Sequence, residues 1–196
     1  DKTVDSLSKH CSMVYQRFLD SDDDRADNIG IILNSSPISP FNPFCPSESE
    51  VVLSQPVKTE TEDGRTAEFM VTAYVLPNKA EFSTNEAYQA SRPGNDNQGI
   101  YVYRENRLIH GPDWMKMYSK EPHMSLLRVE FSFDHLLDEA FHIDIKKSQI
   151  NLIEDLYVYL KEQFLPPCRR AAEERYRTGK RQDAQEKSVN LHDISN

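Results

Sequence analysis

Glycine is scarce in this chain, and its scarcity bears on nucleotide binding. Only six of the 196 residues are glycine, about half the share that is usual in globular proteins. They are scattered, so neither GxGxxG nor GxxxxGKS/T occurs. Phosphate groups are bound by clustered backbone N–H groups, and glycine permits the close approach that this requires. The chain is therefore not expected to form a phosphate-binding loop by itself.

Cysteine and histidine are also sparse. The three cysteines, Cys11, Cys45 and Cys168, are odd in number and lack CxxC spacing, so neither a disulfide framework nor a zinc knuckle is indicated. Reduced thiols of a cytosolic or nuclear protein fit this pattern. No histidine is followed by another four residues later, the spacing that places two imidazoles on one helical face. We expect no metal site.

An acidic run after residue 19 has the first ligands of a calcium-binding loop. Asp20, Asp22 and Asp24 occupy positions one, three and five of an EF-hand loop. Position six is Arg25, where the sharp turn needs glycine, and position twelve is Ile31, where a bidentate glutamate is needed. Because both requirements are missing, we predict a solvated loop.

Long apolar runs and an excess of basic residues are absent as well. No run approaches the roughly 18–20 residues of a membrane helix, and the N-terminus has no signal region. The 23 basic and 32 acidic residues give a net charge of −9, which argues against a uniformly basic nucleic-acid-binding domain. We expect a cytoplasmic protein with no membrane partner. The chain begins at Asp1 rather than Met, so we expect a piece of a longer protein, with processing or removal of a tag as the alternative.

Hydrophobic periodicity predicts an α/β chain with one main core. Helical spacing covers residues 3–19 and a long segment from residue 150, which Pro166 and Pro167 should break or restart. Alternation or short apolar runs predict strands at 29–33, 51–59, 67–76, 99–104, 107–109 and 127–133. The alternation in the last segment is typical of a strand with one buried face.

The connecting segments carry further expectations. The proline-rich stretch 37–46 should be an irregular connection with Phe41 and Phe44 packed inward. Residues 83–98 are polar and are predicted to form the most flexible loop of the chain. Trp114, Tyr101 and Tyr103 could stack on nucleic-acid bases, but core packing is the more common role of aromatics in such positions.

No catalytic constellation is visible in the sequence. No serine stands in a GxSxG motif, and no cysteine lies beside a plausible base. The carboxylates Asp134, Asp138 and Glu139 are more typical of a helix cap and a solvated helix than of an acid–base pair.

The charge is unevenly distributed along the chain. Residues 169–187 hold seven basic and four acidic side chains, whereas residues 1–168 carry a net charge of −11. A solvated helix with Glu–Arg pairs explains this composition, and a basic helix that binds nucleic acid or another subunit is the alternative. We predict an α/β domain over 1–168 and a basic helical extension and tail over 169–196.

Two adjacent lysines, Lys146 and Lys147, precede the last predicted helix and are followed by Ser148. A helix N-terminus favours anions, so an ammonium group here could assist anion binding. An ordinary pair of surface lysines is the competing interpretation.

Several segments together resemble a known protein family. They are QGIYVYRENRLI at 98–109, Trp114, the strand at 127–133 and DIKKSQI at 144–150, preceded by HCSMVYQRFL at 10–19 and PFNPF at 40–44. They resemble the second, transducer domain of GHKL ATPases, the superfamily of gyrase B, MutL-type mismatch-repair proteins, Morc proteins and cytosolic heat-shock chaperones. The bacterial MutL/Morc-like branch is the most similar, and the likeness spans most of residues 10–170.

The resemblance implies a fold like that of the second domain of ribosomal small-subunit protein five. That fold has a mixed sheet, helices on one face and a βαβ crossover. A lysine after a late strand would reach the γ-phosphate of ATP, and the spacing to Ser148 favours Lys147 over Lys146. ATP and Mg²⁺ would be held by an N-terminal domain whose DxGxG motif is not found here. This chain alone should therefore be inactive. A homodimer and DNA are further partners implied for the full-length protein.

Overall fold

A five-stranded mixed sheet forms the centre of the fold. The computed structural model describes residues 2–60, 66–137 and 154–194. The strands of the sheet are β3 (Glu50–Glu60), β4 (Thr66–Val75), β5 (Gly99–Arg104), β6 (Arg107–Asp113) and β7 (Leu127–Phe133). They have the order β3–β4–β7–β5–β6, in which β5 and β7 are parallel and the other neighbours are antiparallel. The mixed α/β class is confirmed.

A second, minimal sheet replaces the predicted strand at 29–33. It pairs β1 (Ile32–Leu33) with β2 (Ser36–Pro37), and its turn residues Asn34 and Ser35 have positive φ. In the following segment Phe41 and Phe44 are buried, as predicted. The predicted turn at 62–64 lies outside the described residues.

One face of the large sheet carries the main hydrophobic core. Phe69, Val71, Ala73 and Val75 point to this face from β4, which confirms their predicted common orientation. Each fully buried large aliphatic or aromatic side chain contributes about 1.5–3 kcal/mol. The C-terminal helical region covers this face with Leu156, Leu160, Phe164, Leu165, Cys168 and Ala172.

The C-terminal helical region continues through its two prolines, contrary to the predicted break. Helix α4 (Glu154–Tyr159) passes through a π-helical turn, Leu160–Phe164, into α5 (Leu165–Ile194). Proline lacks the N–H that an α-helical bond needs, and its ring crowds the carbonyl four residues earlier. The wider π turn precedes Pro166 and Pro167 and changes the hydrogen-bond spacing there. The predicted boundary after residue 168 lies inside α5. No helix in the described ranges is both long and apolar enough to cross a membrane.

Helices cover both faces of the sheet rather than one. Helix α1 (Lys2–Val14) and the short α2 (Gln16–Leu19) confirm the predicted N-terminal helix, with a break at Tyr15. They lie on the second face, where Met13 packs against Phe44, Tyr101 and Tyr103. This face needs a cover because it carries buried aromatic and charged side chains. The expectation of one buried face on β7 is therefore wrong: Arg128 is 0% and Glu130 is 8% exposed.

The connection between the parallel strands contains no α-helix. From β5 the chain forms the predicted hairpin turn at Glu105–Asn106, then β6, and reaches β7 through a 3-10 turn at Pro122–Met124. Trp114, Met117 and Met124 of this connection are buried in the main core. These side chains cover the sheet where the βαβ unit implied by the resemblance would place a helix.

Residues 83–98 contain more regular structure than the sequence predicted. Helix α3 (Asn85–Ala90) is capped by Thr84, whose hydroxyl accepts a hydrogen bond from the Ala87 N–H at 3.0 Å. The buried Gln98 accepts a hydrogen bond from the indole of Trp114 at 3.0 Å. A helix of six residues is too short to show helical periodicity, which explains the prediction of a loop.

Gly99 provides a test of the β5–β6 pairing. Its φ is +131°, and an added Cβ would lie 2.7 Å from the backbone nitrogen and oxygen of Asp113. Gly94 also has a positive φ, of +142°, but open space around it. We expect Gly99→Ala to lower the free energy of unfolding by about 1–3 kcal/mol more than Gly94→Ala, because only the first adds a steric clash. Urea denaturation of both variants measures the difference, and equal losses would contradict the close approach.

Candidate functional site at the ends of the parallel strands

Helix α2 directs a charged side chain into the protein. Helix α1 ends at Val14, and Tyr15 has φ −106° and ψ 21° before α2 begins at Gln16. After this break Gln16 and Arg17 are 0% and 2% exposed. Arg17 therefore reaches the second face of the sheet from an element only four residues long.

Arg17 forms a buried ion pair with Glu130 of β7. Its Nη2 lies 2.6 Å from Glu130 Oε1, and its Nη1 donates to Ser132 Oγ at 2.8 Å and Asn106 Oδ1 at 3.1 Å. Its guanidinium carbon lies 3.8 Å from the centre of the Tyr103 ring, a cation–π contact. Burial lowers the pKa of Arg17, and the charge of Glu130 opposes that effect.

A second arginine shares the same carboxylate. Arg25 Nη1 lies 3.1 Å from Glu130 Oε1, while Arg25 Nη2 lies 2.6 Å from Asp23 Oδ2. The hydrogen bond from Arg25 lowers the pKa of Asp23. We call Arg17, Asp23, Arg25 and Glu130 the Glu130 cluster. Its two cations and two carboxylates balance one another, so it is not an open site for an ion.

The acidic run that supplies Asp23 shows no metal-binding geometry. In the described part of the chain, no group of three or more His, Cys, Asp or Glu side chains could hold a metal ion. Asp23 instead accepts hydrogen bonds from Arg25, and the Asp20 carboxylate accepts one from the Asp22 backbone N–H.

The Glu130 cluster lies near the end of the sheet where the parallel strands β5 and β7 finish. Asn106 in the turn after β5 accepts from Arg17 and donates to the Arg25 carbonyl. Next to it, Glu105 accepts from the backbone N–H of His135 at 3.0 Å and lies 2.6 Å from its ring Nδ1. His135 belongs to the 3-10 turn that follows β7. The turn after β5 therefore contacts both the cluster and the chain leaving β7.

The predicted lysines belong to the segment that follows the 3-10 turn at His135 in the chain. Lys146, Lys147 and Ser148 lie outside the described residues, as do Asp138 and Glu139. The flanking residues are well packed, because Leu137 before the segment and Leu156 after it are both buried in the main core.

The remaining sequence-based candidates are structural. Trp114, Tyr101 and Tyr103 are 2% exposed or less, which confirms the core interpretation. The three cysteines are free thiols. Burial raises the pKa of Cys45, and it raises the pKa of Cys168 to about 11. A thiol with a raised pKa is a poor nucleophile at neutral pH.

The sequence reasoning missed the buried charges of this face. Helical spacing over residues 3–19 does not show that Arg17 is buried, and one buried face on the strand at 127–133 would leave Arg128 and Glu130 on the solvent side. The one local signal of this burial is that polar residues occupy alternate positions of a strand that pairs with neighbours on both sides. A central strand of this kind is often covered on both faces.

Comparison with known proteins gives no assignment. Neither a scan against protein-family models nor a search of curated proteins finds a match to this chain. The function therefore has to be inferred from the residues and their arrangement.

The ion pair at Glu130 should be essential for stability. Glu130→Gln leaves Arg17 buried without a counter-charge, and breaking a buried pair in this way costs about 3–5 kcal/mol. Glu68→Gln is the matched control, because Glu68 pairs with Lys58 at 3.6 Å on an exposed part of the neighbouring hairpin. We expect at most about 1 kcal/mol from that change. Urea denaturation measures both, and similar values would show that the Glu130 cluster does not stabilise the fold.

Proposed function

We propose that this chain is the transducer part of a GHKL-type ATPase. In this proposal an N-terminal domain holds ATP and Mg²⁺, and Lys147 contacts the γ-phosphate. The sequence likeness at 98–109, 127–133 and 144–150 supports it. The observation that carries it is the motif DIKKSQI at 144–150, which contains Lys146, Lys147 and Ser148 and follows β7 in the chain. We also propose that the fold is like that of the second domain of ribosomal small-subunit protein five.

Lys147 would act by charge and position. The transferred phosphoryl group carries negative charge on its oxygens, and a positioned ammonium stabilises that charge without accepting a proton. Lys146 is the second candidate for this contact, and Ser148 would lie beside the bound nucleotide. Phosphoryl transfer depends on accurate placement of such groups.

Described residues on either side of the segment in the chain would transmit the nucleotide state. Leu137 and Leu156 are buried in the main core, and Leu156 belongs to α4. Tyr118, in the connection to β7, donates a hydrogen bond to the carbonyl of Lys161 in the following π turn at 2.8 Å. A shift of the segment toward ATP would thus act on α4 and α5, and through them on a dimer partner or a downstream domain.

Substitution of the two lysines tests the proposal. The assay uses the longer protein that the proposal implies, in which an N-terminal ATP-binding domain precedes Asp1. Lys147→Ala should lower the kcat of ATP hydrolysis by about 100-fold, the usual effect of removing one transition-state charge contact. The π-turn variant Lys161→Ala is the matched control and should leave kcat within about threefold of wild type, less than the tenfold change that corresponds to RT ln 10. Lys146→Ala tests the second candidate for the contact and should have a smaller effect than Lys147→Ala.

The outcomes separate the alternatives. If only Lys146→Ala lowers kcat, the γ-phosphate contact is made by Lys146 rather than by Lys147. Wild-type turnover in both single variants and in the double variant would contradict the proposed role. Absence of ATP hydrolysis in the longer protein itself would contradict the assignment to an ATPase.

A non-catalytic interaction module is the alternative, in which basic α5 residues bind nucleic acid or a protein. Several cations of α5 already have partners: Arg169 pairs with Glu121, Arg175 with Glu50 and Arg177 with Glu173. The exposed Arg170 and Arg181 form no ion pair with a described residue, which is the observation that favours this alternative.

Charge removal on α5 distinguishes this alternative. If the helix binds DNA, Arg170→Gln combined with Arg181→Gln should weaken binding and reduce the slope of log affinity against log salt by about 2, because two phosphate contacts are lost. Titration of a fluorescent duplex at several salt concentrations measures the slope. An unchanged slope would assign α5 to packing alone.

A further inference from the structure

A cavity lies at the start of β7. Its volume is about 280 Å³, and it is bounded by the end of β4, the region around α3, the start of β7 and the middle of α5. Arg128, which lines it, lies five residues before Phe133, a separation of about 17 Å along an extended strand. None of the four residues of the Glu130 cluster lines the cavity, so the two sites are distinct.

Arg128 is a buried cation without a counter-charge. It is 0% exposed, and its guanidinium donates only to backbone carbonyls: Nη1 to Pro43, and Nη2 to Ser91 at 2.8 Å and Arg92 at 3.2 Å. Its Nε has no hydrogen-bond partner, and no ion pair joins it to a carboxylate of the described residues. Burial lowers its pKa, which reflects the cost of holding this charge away from water.

Two further cations face the same cavity. Lys79 and Lys180 line it, and neither forms an ion pair within the described ranges. Asp183 is the only carboxylate among the described lining residues, so the charged groups there sum to +2. The cavity is thus positively charged although the chain has a net charge of −9. Clefts lined by charge of one sign attract ligands of the opposite sign.

The rest of the wall is mainly apolar and includes three aromatic rings. They belong to Phe82, Tyr88 and Tyr176. The ammonium groups lie over two of these rings: Lys79 Nζ is 5.6 Å from the centre of Tyr88, and Lys180 Nζ is 5.5 Å from the centre of Tyr176. These contacts keep each ammonium beside an apolar surface.

A close helix contact forms the wall on the side of α5. Gly179 is buried, and a Cβ at that position would clash with the Asn78 side chain. Asn78 also donates a hydrogen bond to the Arg175 carbonyl at 2.9 Å. The glycine thus allows α5 to approach the end of β4 and gives the cavity a fixed boundary.

We propose that this cavity binds a phosphate monoester carried on a flat ring. Lysine and arginine are the common ligands of phosphate, and the aromatic and aliphatic wall suits a ring. Sites for drug-sized ligands usually span about 300–1,000 Å³, so a volume at the lower limit selects a small compound. The phosphate would lie toward Arg128, Lys79 and Lys180, and the ring against Tyr88 and Tyr176.

Calorimetric titration with phenyl phosphate tests the proposal on the chain as given. We expect saturable binding with a Kd of about 1 mM or lower, consistent with the affinity of ligands of this size. Lys79→Gln and Lys180→Gln should each weaken binding about tenfold, since each removes a charge-assisted contact. Asp183→Asn should strengthen it about threefold, because it removes a repulsive charge.

A matched control separates a specific site from general charge. Lys161 also lies over a tyrosine ring, with Nζ 5.7 Å from the centre of Tyr157, but it does not line the cavity. Lys161→Gln should leave the Kd within twofold of wild type. Inorganic phosphate and phenol test the anion and the ring separately, and each should bind more weakly than phenyl phosphate.

The proposal is contradicted by any of three results. They are no saturable binding of phenyl phosphate to the wild-type chain, an equal loss in Lys161→Gln and the two cavity variants, and binding of inorganic phosphate as tight as that of phenyl phosphate. Thermal unfolding of each variant without ligand verifies that the lysine changes leave the fold intact. Arg128 is left unchanged because its hydrogen bonds hold two other backbone segments, at Pro43 and at Ser91–Arg92.

Discussion

Strand β7 pairs on both sides and is buried on both faces, yet it carries Arg128 and Glu130. A charge in such a position is tolerated only if other groups compensate it, because burying it unpaired costs several kcal/mol. Glu130 forms ion pairs with Arg17 and Arg25 of the N-terminal region. Arg128 donates hydrogen bonds to the carbonyls of Pro43, Ser91 and Arg92. The N-terminal helices, the proline-rich connection and the end of α3 are thereby fixed against one strand.

The two charges of β7 divide its second face into regions with different chemistry. Around Glu130 the cations and carboxylates balance, so that region stabilises the end of the sheet where β5 and β7 finish. Around Arg128 the charge is positive and is compensated only by backbone dipoles, next to a cavity with two more lysines. The first region is suited to positioning a neighbouring segment, whereas the second is suited to binding an anion.

Much of the framework could be predicted from local pattern. The alternation of Phe69, Val71, Ala73 and Val75, the hairpin at Glu105–Asn106 and the burial of Phe41, Phe44 and Trp114 all follow from periodicity and turn composition. The charged contacts could not be predicted in this way. Arg17 and Glu130 are 113 residues apart, and period-two alternation does not reveal what covers the polar side of a strand. The lysine pair at 146–147 remains a sequence-based prediction.

The sequence by itself determined the positions of most strands, the N-terminal and C-terminal helices and the apolar face of the sheet, because these depend on contacts between near neighbours in the chain. Only the tertiary structure decided that the polar face is buried and that the C-terminal helix continues through Pro166 and Pro167. It also decided that Arg128, Lys79 and Lys180 surround one cavity. These features depend on desolvation and on contacts between distant segments, and neither quantity is encoded in local periodicity.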